Sequence, residues 1–286
     1  MPTSRSFYAA VGCEELRENY EDKVVNKENP MSKGSKRTDR EVLQEAEELY
    51  QQLPRPPRTL TTILDSRTRS VLIPDKARVA QYVLLCRMID LAESTIELYR
   101  NGRRNSAFIL TRAIFETTAL LFLIYERLER IVETNKLGDI DLFLSRIVAG
   151  GKSDSTPEWI PGVPAKAINI GKAIERLDKK FKLKGRGMAS DYGFLCDFTH
   201  PNSPGGILSY AKWEKKNDIL VFWFSVSHKP FPQHLGFGLV CLCMCLDIFN
   251  HYYQKMEDVV QGFTNVWGTQ RRKAKTPSGQ LGERQR

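Results

Sequence analysis

The chain has 286 residues, of which 41% are hydrophobic, 10% aromatic and 27% charged. That composition excludes a wholly disordered chain, a collagen-like repeat and a small disulfide scaffold, and the length leaves ample material for a buried core. The net charge of +9 is unevenly placed, because residues 271–286 alone carry +5. The mild basic excess elsewhere is compatible with an acidic partner such as RNA without pointing to one.

Residues 1–38 read as a flexible leader. They open without an apolar segment of the secretory kind, so a cytoplasmic protein is expected. Residues 39–58 hold a short helix and a Pro-rich linker. Thr38 or Asp39 caps the helix, Val42, Ala46, Leu49 and Leu53 recur at helical spacing, and Leu53-Pro54-Arg55-Pro56-Pro57 stops it. The spacing then predicts a helical bundle over 59–268.

Its first long helix is expected over 75–101, with one apolar stripe of Tyr82, Cys86, Ile89, Ala92, Ile96 and Tyr99 and a second of Leu84, Met88, Leu91 and Leu98. Asn101-Gly102 is a C-cap signal, and a second helix starts at Asn105 or Ser106. Because 107–125 is apolar nearly all round, this should be the central helix of an antiparallel hairpin. It carries Arg112 and Glu116, so it reads as a buried helix of a soluble protein rather than a membrane span.

Helices are also expected over 139–149, 166–182 and 188–200, the last with Phe194, Leu195 and Phe198 inward. The period then changes to that of strands at 207–213 and 219–226, around the polar turn 214–218, which predicts one β-hairpin before the last long helix. That helix runs from Gln233 to Phe263, and residues 269–286 form a basic tail expected to be disordered.

The six cysteines show no framework spacing. Cys241, Cys243 and Cys245 alternate within an apolar helix and cannot converge on one metal, so they read as small buried side chains. No motif for a metal or cofactor is complete. Gly150-Gly-Lys152-Ser153 lacks the leading glycine of a phosphate-binding loop, and Gly236-Phe-Gly238 has Cys241 where a dinucleotide fingerprint needs glycine.

Three polar features stand out. Arg112 and Glu116 lie four apart on one face of the most apolar helix, where a buried ion pair fixing helix packing is the first expectation. A rigid Arg there could also bind phosphate. His200 sits where a helix breaks into a Gly/Pro loop, three residues after Asp197. It suits helix capping and also general acid or base work. Lys179, Lys180, Lys182, Lys184 and Arg186 put five basic side chains in eight residues just before that helix. They form a solvated turn, or phosphate contacts if His200 faces a cleft, with Phe181 and Tyr192 available for stacking. Asp247 and His251, four apart on the last helix, read as a half-buried hydrogen-bonded pair.

The order of these parts over roughly 75–260 resembles an uncharacterised, mostly bacterial family of helical proteins. The shared pattern is the Arg112-x-x-x-Glu116 helix, the aromatic segment from Tyr192 to Phe198 closing on His200-Pro201, then a hairpin and a long apolar helix. It also looks like the broader HEPN class, whose members include RNA-cleaving toxins, defence components and inactive dimerising modules. The catalytic HEPN signature places Arg four to six residues before His on one helix, and none of His200, His228, His234 or His251 has an Arg at that spacing.

The expectation is therefore a mainly α, HEPN-like antiparallel bundle acting as a non-catalytic interaction or dimerisation module in a bacterial defence or toxin–antitoxin type of system. Its partner would be another protein or a second copy, with no membrane and no small-molecule cofactor. The alternative is a metal-independent ribonuclease-like enzyme. There His200 is acid or base, Arg112 steadies the phosphate, Glu116 orients Arg112, and the 179–186 run docks RNA.

Overall fold

The computed structural model describes residues 38–62, 71–150, 167–181, 187–200, 211–214, 219–222 and 232–275. The leader up to residue 37, the loop 151–166, Lys182, Lys184 and Arg186, the Pro/Gly loop after His200, the turn 215–218 and residues 276–286 lie outside them. The fold is mainly helical.

Helix α1 (Asp39–Gln51) starts at a capping box. The Thr38 hydroxyl accepts from the Glu41 amide at 3.3 Å, and the Thr38 amide donates to the Glu41 carboxylate at 2.6 Å. Val42, Ala46 and the trailing Leu53 are buried as the spacing requires. Helix α2 (Ile73–Arg100) has Pro74 in its first turn and ends at Asn101, where Gly102 takes φ +69°. Its buried face is Ala77, Leu84, Leu85, Met88, Ala92, Ile96 and Tyr99. The stripe that began at Tyr82, Cys86 and Ile89 is therefore corrected, since these three are only half-buried. Tyr82 instead donates to the carbonyl of Pro57 at 3.0 Å, beneath the Pro-rich segment.

Helix α3 (Arg104–Thr134) is central. Tyr99 Oη lies 3.3 Å from Thr111 Oγ1, and Arg87 Nε donates to Thr117 Oγ1 at 3.2 Å, so α2 packs on it antiparallel. On other sides lie α4 (Ile140–Ala149), α5 (Ile170–Phe181), α6 (Met188–Thr199) and α7 (Pro232–Lys275). With neighbours on so many faces, a helix apolar all round is the physical requirement. Among the described residues α3 is the one helix long and apolar enough to cross a membrane, and 67% of its most apolar window is buried inside the protein.

Helix α7 runs parallel to α3. Thr118 Oγ1 donates to the Cys245 carbonyl at 3.3 Å, and near the other end Gln270 Nε2 donates to the Asn135 carbonyl. Glycine at 238 permits the close approach, because a Cβ there would collide with the Phe108 ring and the Tyr99 hydroxyl. Cys241, Cys243 and Cys245 are all buried. The expected tail from residue 269 is corrected over its first seven residues, which continue α7 through Gly268 to Lys275. Gln270 on the end of α3 and the Arg271 guanidinium 5.1 Å from the Trp267 ring centre hold this extension. Ala211–Glu214 and Ile219–Phe222 form a two-stranded antiparallel ladder, with Ala211 opposite Phe222 and Glu214 opposite Ile219.

Candidate functional site

Helix α6 lies antiparallel along α3, so its aromatic residues meet α3 in reverse order. Tyr192 is 6.2 Å from the Phe115 ring and Phe198 is 5.2 Å from the Phe108 ring, centre to centre. This alignment brings the polar pair of α3 against polar residues of α6. Arg112 Nε lies 3.3 Å from Glu116 Oε1. Arg112 Nη1 donates to Thr199 Oγ1 at 2.8 Å, and Nε and Nη2 donate to Tyr192 Oη at 3.4 and 3.5 Å. The Tyr192 hydroxyl donates onward to Glu116 Oε1 at 2.8 Å, and Thr199 Oγ1 donates to the Cys196 carbonyl at 2.9 Å. The guanidinium also sits 5.6 Å from the Tyr192 ring centre, within cation–π range.

Arg112 and Glu116 are not sealed in the core, since their side chains keep 28% and 26% of their exposure. The expected buried pair is thus a half-buried, hydrogen-bonded cluster between two helices. Burial is the main influence on Arg112 and opposes its charge, but the Tyr192 hydrogen bond, Cys196 and the Glu116 carboxylate outweigh it and raise the pKa. Burial and then the Glu116 carboxylate push Tyr192 up to about 12, against the pull of Arg112. Tyr192 therefore keeps its proton at neutral pH and acts as a hydrogen-bond donor. The Cys196 thiol is also pushed up, chiefly by burial.

His200 is the C-cap of α6. Its backbone N–H closes the helix on the Cys196 carbonyl at 3.1 Å, and the residue is exposed. It directly follows Thr199, the residue Arg112 holds. Asp197 is exposed, and among the described residues no hydrogen bond joins it to His200. Lys179 and Lys180 are exposed in the last turn of α5. Of the two residues considered for stacking, Tyr192 is engaged in the Arg112 cluster and Phe181 packs edge-on against Tyr252 at 6.3 Å. Asp247 and His251 correct the expectation of a half-buried pair. Both are exposed, and among the described residues no hydrogen bond connects them. They lie on the outer face of α7, whose inner face is taken by Leu246, Phe249 and Asn250.

The sequence pattern does not single out Thr199, and it offers Tyr192 only as a stacking residue. The usable signal was their spacing, since residues seven apart share a helix face and can match an i,i+4 polar pair on a facing helix. No group of three or more His, Cys, Asp or Glu side chains placed to hold a metal occurs among the described residues. Comparison with protein-family models, curated proteins and solved structures finds no match for this chain.

Proposed function

We propose that the chain is a non-catalytic helical interaction module of HEPN-like type. Its partner is a second copy or another protein, in a defence or toxin–antitoxin type of system. One observation carries this reading: the Arg112 guanidinium already faces Glu116, Tyr192 and Thr199, all within the protein. An arginine held this way clamps α6 to α3 and is poorly placed to receive a transferring phosphate.

The second reading, a ribonuclease-like enzyme, draws on the exposed His200 lying next to Thr199. In it His200 is the acid or base, Arg112 steadies the scissile phosphate, Glu116 orients Arg112, and the 179–186 run docks RNA. Incubating the purified chain with total RNA, beside His200→Ala, separates the two. The expected result is no cleavage by either protein across pH and divalent ions. Cleavage by the wild type that is lost in a folded His200→Ala protein overturns the non-catalytic reading. Light scattering over a range of concentrations tests self-association, and a monomer throughout removes the second copy as the partner.

A further inference from the structure

A groove of about 690 Å³ runs along the seam where α1 packs on α2. Carboxylates stand on both walls, Glu47 and Glu48 from α1 and Glu93 and Glu97 from α2, with Tyr50 on the α1 side. Among the described lining residues Arg100 is the one cation, and it is committed to Glu47 at 2.9 Å and Glu97 at 3.8 Å. Glu48 accepts from the Gln44 amide at 3.0 Å. Glu48 and Glu93 are both exposed, and neither has an ion pair among the described residues. Four carboxylates against one guanidinium leave the groove negative, and like charges on facing walls favour a cation entering between them. The Tyr50 ring already accepts one guanidinium, that of Arg55, 5.8 Å from its centre.

The same chain presents the complementary charge at its other end. Helix α3 ends at Thr134, and Gln270 of α7 donates to the Asn135 carbonyl just beyond it, so residues 271–275 of α7 extend past that end. Arg271, Arg272 and Lys273 are exposed there, and no acidic residue occurs between Asp258 and Lys275. This basic helix end lies far from the groove of its own chain. Cys243 Sγ is 3.4 Å from the Val42 carbonyl, and Asn250 Nδ2 donates to the Leu49 carbonyl at 3.2 Å, so α1 lies level with the first half of α7. From Asn250 to Arg271 α7 is continuous helix, which at a rise of about 1.5 Å per residue spans about 30 Å.

We propose that the α1–α2 groove is a docking site for the basic end of α7 from a second copy of this chain. Arg271 and Lys273 enter between Glu48 and Glu93, the two carboxylates that no cation of their own chain engages. The separation along α7 makes the contact one between copies. The proposal rests on the reading of the chain as an interaction module, and it names the partner and the two surfaces. A contact carried by exposed charges is weakened by salt.

The test follows self-association of the full chain by sedimentation equilibrium. Wild type is expected to associate, and raising salt from about 50 to about 500 mM should weaken association by about tenfold or more. The groove variant Glu48→Gln/Glu93→Gln and the helix-end variant Arg271→Gln/Lys273→Gln each change exposed side chains, and melting curves confirm that both fold. Each alone should associate at least about tenfold more weakly than wild type. Because the two surfaces differ, a copy lacking one still binds a copy lacking the other, so an equimolar mixture should form a 1:1 pair. A monomeric wild type, association unchanged in either variant, or a mixture that stays monomeric overturns the proposal. A monomeric wild type that also leaves RNA intact removes this contact alone, and the non-catalytic reading stands with another protein as partner. RNA cleavage lost in His200→Ala overturns that reading instead.

Discussion

Replacing Arg112 by Met separates a structural clamp from a catalytic group. The substitution keeps most of the aliphatic stem and removes the guanidinium. It deletes a 2.8 Å charge-assisted hydrogen bond to Thr199, two longer ones to Tyr192 and the 3.3 Å ion pair with Glu116. A hydrogen bond to a charged group contributes about 1.5–3 kcal/mol, and the partial exposure of this pair argues for the lower end. Glu116 keeps the Tyr192 hydroxyl at 2.8 Å, so no carboxylate is stranded. The expected loss is therefore about 1–2 kcal/mol, or a fall in melting temperature of roughly 3–6 °C for a domain of this size. Urea unfolding of Arg112→Met, Thr199→Val and the double variant should give a coupling energy of about 1 kcal/mol. Strictly additive effects, or an Arg112→Met protein as stable as wild type, would refute the clamp.

Other outcomes follow from the same structure. Gly238→Ala forces a methyl group into the Phe108 ring and the Tyr99 hydroxyl, both buried, and should cost about 1–3 kcal/mol or more; a melting temperature equal to wild type would show that α3 and α7 are not in close contact there. The stability advantage of wild type over Tyr192→Phe should narrow as pH rises from 10 to 12. A pKa raised on folding stabilises fully below the unfolded value of 10 and is lost through the folded value of about 12. A constant gap across that range, followed by circular dichroism, contradicts the proton placement on Tyr192. Thiol labelling of the native protein should modify Cys86 and Cys196, which are half-buried, well before Cys241, Cys243 and Cys245. Mass spectrometry of the labelled peptides checks the order, and early labelling of Cys243, whose thiol lies 3.4 Å from the Val42 carbonyl, would show that α1 does not cover it.

Much of the helical layout was legible before any coordinates. Thr38, the Leu53-to-Pro57 run and Asn101-Gly102 act through local backbone geometry and capping, so the ends of α1 and α2 fall within a few residues of expectation. The all-round apolarity of 107–125 marked the central helix for an equally local reason, since only a helix with neighbours on many sides tolerates it. Periodicity was less able to say which of two overlapping stripes on α2 faces inward. Leu84, Met88, Ala92 and Ile96 are buried while Tyr82 and Cys86 sit at the margin, because α3 and α7 together set the buried arc. The C-terminal extension of α7 was missed because its basic, polar sequence has no apolar period. A contact with the distant end of α3 through Gln270 holds it.

The candidate site shows the same division. Sequence alone determined that Arg112 and Glu116 share a helix face, and that a histidine closes the helix containing Tyr192. Only the tertiary structure decided that α6 lies antiparallel on α3, and hence that Arg112 meets Tyr192 and Thr199. Spacing along one helix is a consequence of 3.6 residues per turn, whereas the register between two helices depends on which side chains pack. Here the ring contacts of Phe108 with Phe198 and of Phe115 with Tyr192 set that register, and the polar cluster forms where it brings complementary groups together.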